Sequence, residues 1–152
     1  MFVYLWLLLL LFGSPYHKSN GFLLPDSTIT PGAIRTADTA VYCHQLTSKV
    51  RHTSSALKDT IYKEYGWSLK KHPVGEIDHK VPLEVGGADV RENLWFQPTP
   101  EFKSKDSVEN WVRKRVCSQQ MSGVYAQLMF KQDWTHLYLH MKLDPPPMRK
   151  GH

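Results

Sequence analysis

Residues 75–117 constrain the fold more than any other part of this chain. Two apolar runs, EIDHKVPLEV (76–85) and NLWFQP (93–98), flank the loop GGADVRE (86–92). Each run has strand-like content, and a Gly–Gly pair followed by polar residues is turn chemistry. Pro82 lacks a backbone N–H, which excludes a central, fully paired strand at that point. The stretch SKDSVENWVRKRVCS (104–118) then switches to helical periodicity. Val108, Trp111, Val112 and Val116 line one side, and Ser104 is in place to cap its start. The order strand, loop, strand, helix is a ββα unit with Asp78 and His79 at its front.

Upstream, SALKDTIYKEYG (55–66) repeats Leu57, Ile61 and Tyr65 every four residues and predicts a helix capped by Ser54 or Ser55 and closed at Gly66. A shorter helix is expected around Asp38 to Gln45. The segment 122–141 predicts a last helix starting near Ser122, with Leu128, Trp134, Leu137 and Met141 turned inward. DPPPMRKGH (144–152) cannot continue a helix and reads as a tail. At the other end, MFVYLWLLLLLFG suits the apolar core of a signal peptide and is short for a membrane span. The small residues Ser19 and Gly21 around Asn20 would leave a mature chain from Phe22. The expected organisation is therefore a leader or anchor over 1–21, one domain over 22–143 and a tail over 144–152. Export to the periplasm or medium is the first expectation, and an uncleaved membrane tether the alternative.

The 152 residues suit one domain, and 41% apolar content excludes a disordered chain. A net charge of +5, with eight histidines outside that sum, favours polyanionic partners. In an oxidising compartment Cys43 and Cys117 form the one intrachain bridge available, worth about 4 kcal/mol in the chain-entropy picture. Otherwise they are two buried thiols. No CxxC or Cys–His cluster accompanies them, so they do not form a zinc site.

Phosphodiester hydrolysis needs a base for the attacking water, and a neutral imidazole suits that role near neutral pH. Negative charge grows on the phosphorus oxygens and on the leaving oxygen, where a divalent cation with hard oxygen ligands helps. Adjacent strand residues point to opposite faces, so Asp78 and His79 divide such labour only where the strand ends or bends. Asp106 and Asn110, four apart, share one helix row, and Lys105 and Glu109 form the neighbouring one.

Taken together, EIDHKVPLEVGGADVRENLWFQP and KSKDSVENWVRKRVCS resemble the HNH, or ββα-metal, endonuclease superfamily, and in particular small exported bacterial HNH-like proteins. With LLPDSTITPGAI, Cys43 and YGW, the resemblance spans most of residues 23–135. It implies an α+β fold with a ββα-metal core and flanking helices. It also implies a metal-dependent endonuclease acting on nucleic acid, DNA rather than RNA, with little sequence specificity. His79 matches the general base, Asp78 a metal ligand, and Asn93 the residue that fixes the loop and orients the histidine. No histidine lies between 80 and 135, so the helix ligand falls to Asn110 first and Asp106 second. A site without a full histidine set favours Mg²⁺ or Mn²⁺ over Zn²⁺. Lys105, Arg113, Lys114 and Arg115 are the expected phosphate contacts, and a Cys43–Cys117 disulfide would replace the structural zinc found in many relatives. The other reading is an exported polyanion-binding module on the same fold, without catalysis.

Overall fold

The computed structural model describes residues 13–99 and 101–144. The apolar run of the expected leader and the tail beyond Asp144 lie outside those residues. The described residues are mixed α+β, with two small antiparallel sheets and five α-helices among them, and no described helix is long and apolar enough to cross a membrane. Strands β1 (Tyr16–Ser19) and β2 (Phe22–Pro25) form a hairpin about Asn20 and Gly21. Helix α1 covers Thr39–His44 and α2 covers Ser55–Glu64. Strands β3 (Gly75–His79) and β4 (Leu94–Pro98) pair next, followed by α3 (Phe102–Cys117), α4 (Gly123–Gln132) and α5 (Thr135–Leu143).

The β1–β2 hairpin spans the boundary expected at Phe22, and residues on its upstream side contact the rest of the fold. The Tyr16 hydroxyl donates to the Phe96 carbonyl at 2.8 Å, and its ring lies 5.1 Å from that of Tyr65. Ser19 donates to Asp133 at 2.5 Å, and Asn20 to the Thr135 hydroxyl at 2.9 Å. Three of these four contacts come from β1 and the fourth from Asn20 in the turn.

Helix α2 forms as its sequence dictates: the Ser54 hydroxyl accepts from the Leu57 N–H, and Ile61, Tyr62 and Tyr65 are buried. That face packs on Leu94, Trp95 and Phe96 of β4, giving one core cluster. A second cluster joins Val108, Val112 and Val116 of α3 to Phe130, Trp134 and Leu137, with Val81 and Val85 beside them. The β3–β4 pair therefore has α2 on one side, with α3 packed against the 3-10 turn (Leu83–Val85) that follows β3.

Two expected helix boundaries differ. Helix α3 begins at Phe102, two residues before Ser104, and Glu101 takes the cap position without a capping side chain. The expected last helix is two helices, parted at Asp133 and Trp134. Asp133 accepts from the Thr135 N–H and hydroxyl as well as from Ser19, which stops α4 and starts α5 against the first hairpin. Because α4 ends there, Leu128 faces solvent at 47% exposure, and Ala126, Gln127 and Phe130 take the inward positions. Trp134 and Leu137 are buried as expected, and Met141 is partly so.

Candidate functional site

Strand β3 ends at His79, and its alternation splits the Asp–His pair. Opposed residues of an antiparallel ladder share a face. Ile77 and His79 therefore lie with Phe96 and Leu94, whereas Glu76 and Asp78 lie with Gln97 and Trp95. Phe96 packs 5.3 Å from Tyr62, which identifies the His79 face as the one toward α2. On the other face, the Asp78 carboxylate meets the α3 side chain of Lys105.

The loop between the strands is fixed by Asn93, which is fully buried at the end of a 3-10 turn (Arg91–Asn93). Its carbonyl oxygen accepts from the Val81 N–H at 2.9 Å and the Ala33 N–H at 3.3 Å. Its amide donates to the carbonyls of Val81 and Ala88, both at 2.8 Å. Gly86 has φ +87°, and a Cβ at Gly87 would lie 1.9 Å from the Val81 carbonyl oxygen. Any side chain at 87 would push the loop off Asn93. Asn93 therefore holds the loop, and it makes no contact with the imidazole of His79.

That contact belongs to Asp89. The His79 Nε2 lies 2.7 Å from the Asp89 carboxylate, and both side chains are nearly buried. Asp89 also accepts from the Thr53 hydroxyl at 2.7 Å and from the His52 N–H, tying the segment before α2 to the imidazole. Burial raises the Asp89 pKa, but these hydrogen bonds outweigh it and hold the carboxyl below its usual range. An ionised carboxylate only accepts, so Nε2 carries the proton and Nδ1 carries the lone pair. Among the described residues Nδ1 has no hydrogen-bond partner. Burial lowers the His79 pKa, and the Asp89 bond and the Asp78 charge offset only part of that. His79 is thus an oriented, neutral base with one free nitrogen.

Comparison of the chain with protein-family models, curated proteins and solved structures finds no match. The geometry therefore carries the functional reading. His79, 4% exposed, sits in the wall of a cleft of about 520 Å³ with Arg51, His52, Thr53, Lys58, Tyr62 and Glu76.

On the opposite face, Lys105 departs from the expected phosphate contact. It is 1% exposed, and its ammonium lies 2.6 Å from Asp78, 2.5 Å from Glu109 and 2.8 Å from the His79 carbonyl. The Asp78 approach is a charge contact off the hydrogen-bond direction. Burial alone would lower the Lys105 pKa, but Asp78 and Glu109 together raise it, so the ammonium stays charged. Burial also raises the Glu109 pKa, with Asp78 and Glu84 adding to it. The row facing Asp78 is therefore Lys105 and Glu109. Asp106 lies beside it, its pKa raised by burial and then by the Asp78 charge, and Asn110 is exposed. Of the other expected phosphate contacts, Arg113 donates to the Cys43 carbonyl at 3.2 Å and Arg115 pairs with Asp144, leaving Lys114 open to solvent.

A resident Mg²⁺ needs a near-octahedral set of oxygens. This face offers Asp78 and Glu76, with the unpartnered amide of Gln97 opposite Glu76, and Asp106 nearby. Lys105 already takes Asp78, and no three His, Cys, Asp or Glu side chains converge among the described residues. As arranged, these donors do not fit a resident metal. Asp89 is the site residue missed in the sequence; its one signal is that it is the only acid between Gly86 and Arg91.

Proposed function

We propose that this protein is a phosphodiester hydrolase acting on nucleic acid, an endonuclease of the HNH-like ββα kind, with His79 as general base. The observation behind this reading is the buried Asp89–His79 pair, with His79 in the wall of a cleft carrying Arg51 and Lys58. Asp89 holds the imidazole in one tautomer, and Nδ1 takes a proton from water as its oxygen attacks phosphorus. The P–O bond to the sugar breaks, and the leaving oxygen is protonated from solvent. The cationic wall favours the negative charge that develops on the phosphoryl oxygens. The Asn93 loop, pinned at both ends, keeps the end of β3 fixed relative to Asp89. The disulfide between Cys43 and Cys117 agrees with an oxidising, exported setting.

The test is nicking of supercoiled plasmid by wild-type protein and by His79→Ala, each with Mg²⁺, with Mn²⁺ and with a chelator. His79→Ala is expected to lose cleavage while retaining DNA binding; nicking at the wild-type rate would sink the assignment. The metal arms decide whether a divalent cation displaces Lys105 from Asp78. One observation favours a second reading, a polyanion-binding module without catalysis: the ammonium of Lys105 fills the space between Asp78 and Glu109. Wild-type protein that retards DNA and cuts none under any of the three conditions would establish that reading.

A further inference from the structure

Strand β3 separates two regions of opposite charge. On the α3 side, Asp78, Glu84, Asp106 and Glu109 act electrostatically on one another around a single buried cation, Lys105. A polyanion approaching that side meets an excess of carboxylates. Of the basic residues of α3, Arg113 and Arg115 are held by Cys43 and Asp144, and Lys103 and Lys114 are exposed to solvent. On the α2 side the cleft is lined by Arg51, His52 and Lys58, with Glu76 as its one carboxylate. Arg51 lines the cleft beside both His79 and Glu76. Asp89 holds the backbone of His52 and the hydroxyl of Thr53, which fixes this wall relative to the imidazole. A cleft of about 520 Å³ falls within the range of small-ligand sites.

We infer that the phosphate backbone of a nucleic-acid strand binds in the cleft between β3 and the start of α2, with Arg51 and Lys58 as its phosphate contacts. This rests on the reading of the protein as a nucleic-acid phosphodiesterase, and it moves substrate binding away from the α3 basic row. The guanidinium supplies paired donors to phosphate oxygens, and the ammonium supplies a second point charge. Arg51 and Lys58 are both exposed, so removing them leaves the core intact.

The experiment is fluorescence anisotropy of a labelled 20-nucleotide single-stranded DNA against the full chain across a salt series. Wild type is compared with Arg51→Ala/Lys58→Ala and with Arg113→Ala/Lys114→Ala, and thermal melts confirm folding. Losing both cleft cations is expected to weaken binding about tenfold or more at low salt and to reduce the log–log salt slope by about 1.4, at about 0.7 per phosphate contact. The α3 variant is expected to stay within about twofold of wild type. Unchanged affinity in the cleft variant, a larger loss in the α3 variant, or no wild-type binding at low salt would each overturn the inference. If the DNA is bound through Arg51 and Lys58 but is not cut, the hydrolase reading fails and the binding site stands.

Discussion

At the scale of single residues, the chemistry turns on which nitrogen of His79 carries the proton. Asp89→Asn keeps the shape of the carboxylate but can donate an N–H to Nε2, which would move the ring proton to Nδ1 and remove the lone pair. The proposed nuclease activity is expected to fall about 10²- to 10⁴-fold, the usual worth of a general base, with DNA affinity unchanged. A plasmid-nicking time course beside a binding isotherm checks this. The lowered His79 pKa also links folding to pH. The unfolded chain takes up this proton below about pH 6.5, whereas the folded imidazole resists it until lower pH. The unfolded state thus binds more protons in that window, so this contribution to stability is full above it and is lost as pH falls through it. Urea midpoints at pH 7.5 and 5.5 are expected to drop more for wild type than for His79→Gln. An equal drop in both proteins would remove His79 as the cause.

At the scale of elements, the buried contact between β3 and α3 is an ion pair. Lys105→Met would leave Asp78 and Glu109 facing each other without their cation, at a cost of about 3–5 kcal/mol. Denaturant unfolding measures it, and adding Glu109→Leu is expected to recover part of the loss. This contact also marks where the sequence was legible and where it was not. Helix α2 was readable because its cap, its apolar spacing and its closing glycine all act within the helix. The ββ pairing was readable from two apolar runs about a Gly–Gly turn. Which row of α3 faces Asp78 was not, because Lys105–Glu109 and Asp106–Asn110 have equally good spacing and only the tertiary approach of β3 selects between them. The break between α4 and α5 was hidden for the same reason. No proline or glycine stands at Asp133, and the break is held by Thr135 two residues on together with Ser19 of the first hairpin, a contact that only folding supplies. Asp89 escaped notice because its partners, His79 and residues 52 and 53, converge on it only when the loop folds.

At the scale of the whole molecule, Cys43 of α1 is bonded to Cys117 at the end of α3, with 74 residues of separation and Cα atoms 5.7 Å apart. Reduction, or Cys43→Ala with Cys117→Ala, is expected to lower unfolding free energy by about 2–4 kcal/mol. Guanidinium titrations with and without dithiothreitol measure the shift, and a midpoint that does not move would show that the packing of α1 on α3 suffices alone.

The same bridge has a mechanical consequence. His79, Asp89, Asn93, Lys105 and the cleft residues all lie between its two ends in sequence. Tension applied at the termini passes from Cys43 directly to Cys117 and bypasses the closed loop. Stretched in an optical trap, the oxidised protein is expected to come up short of its reduced form by about 25 nm, the contour length of the shielded segment. A single proteolytic cut inside that loop would likewise leave the two pieces covalently joined.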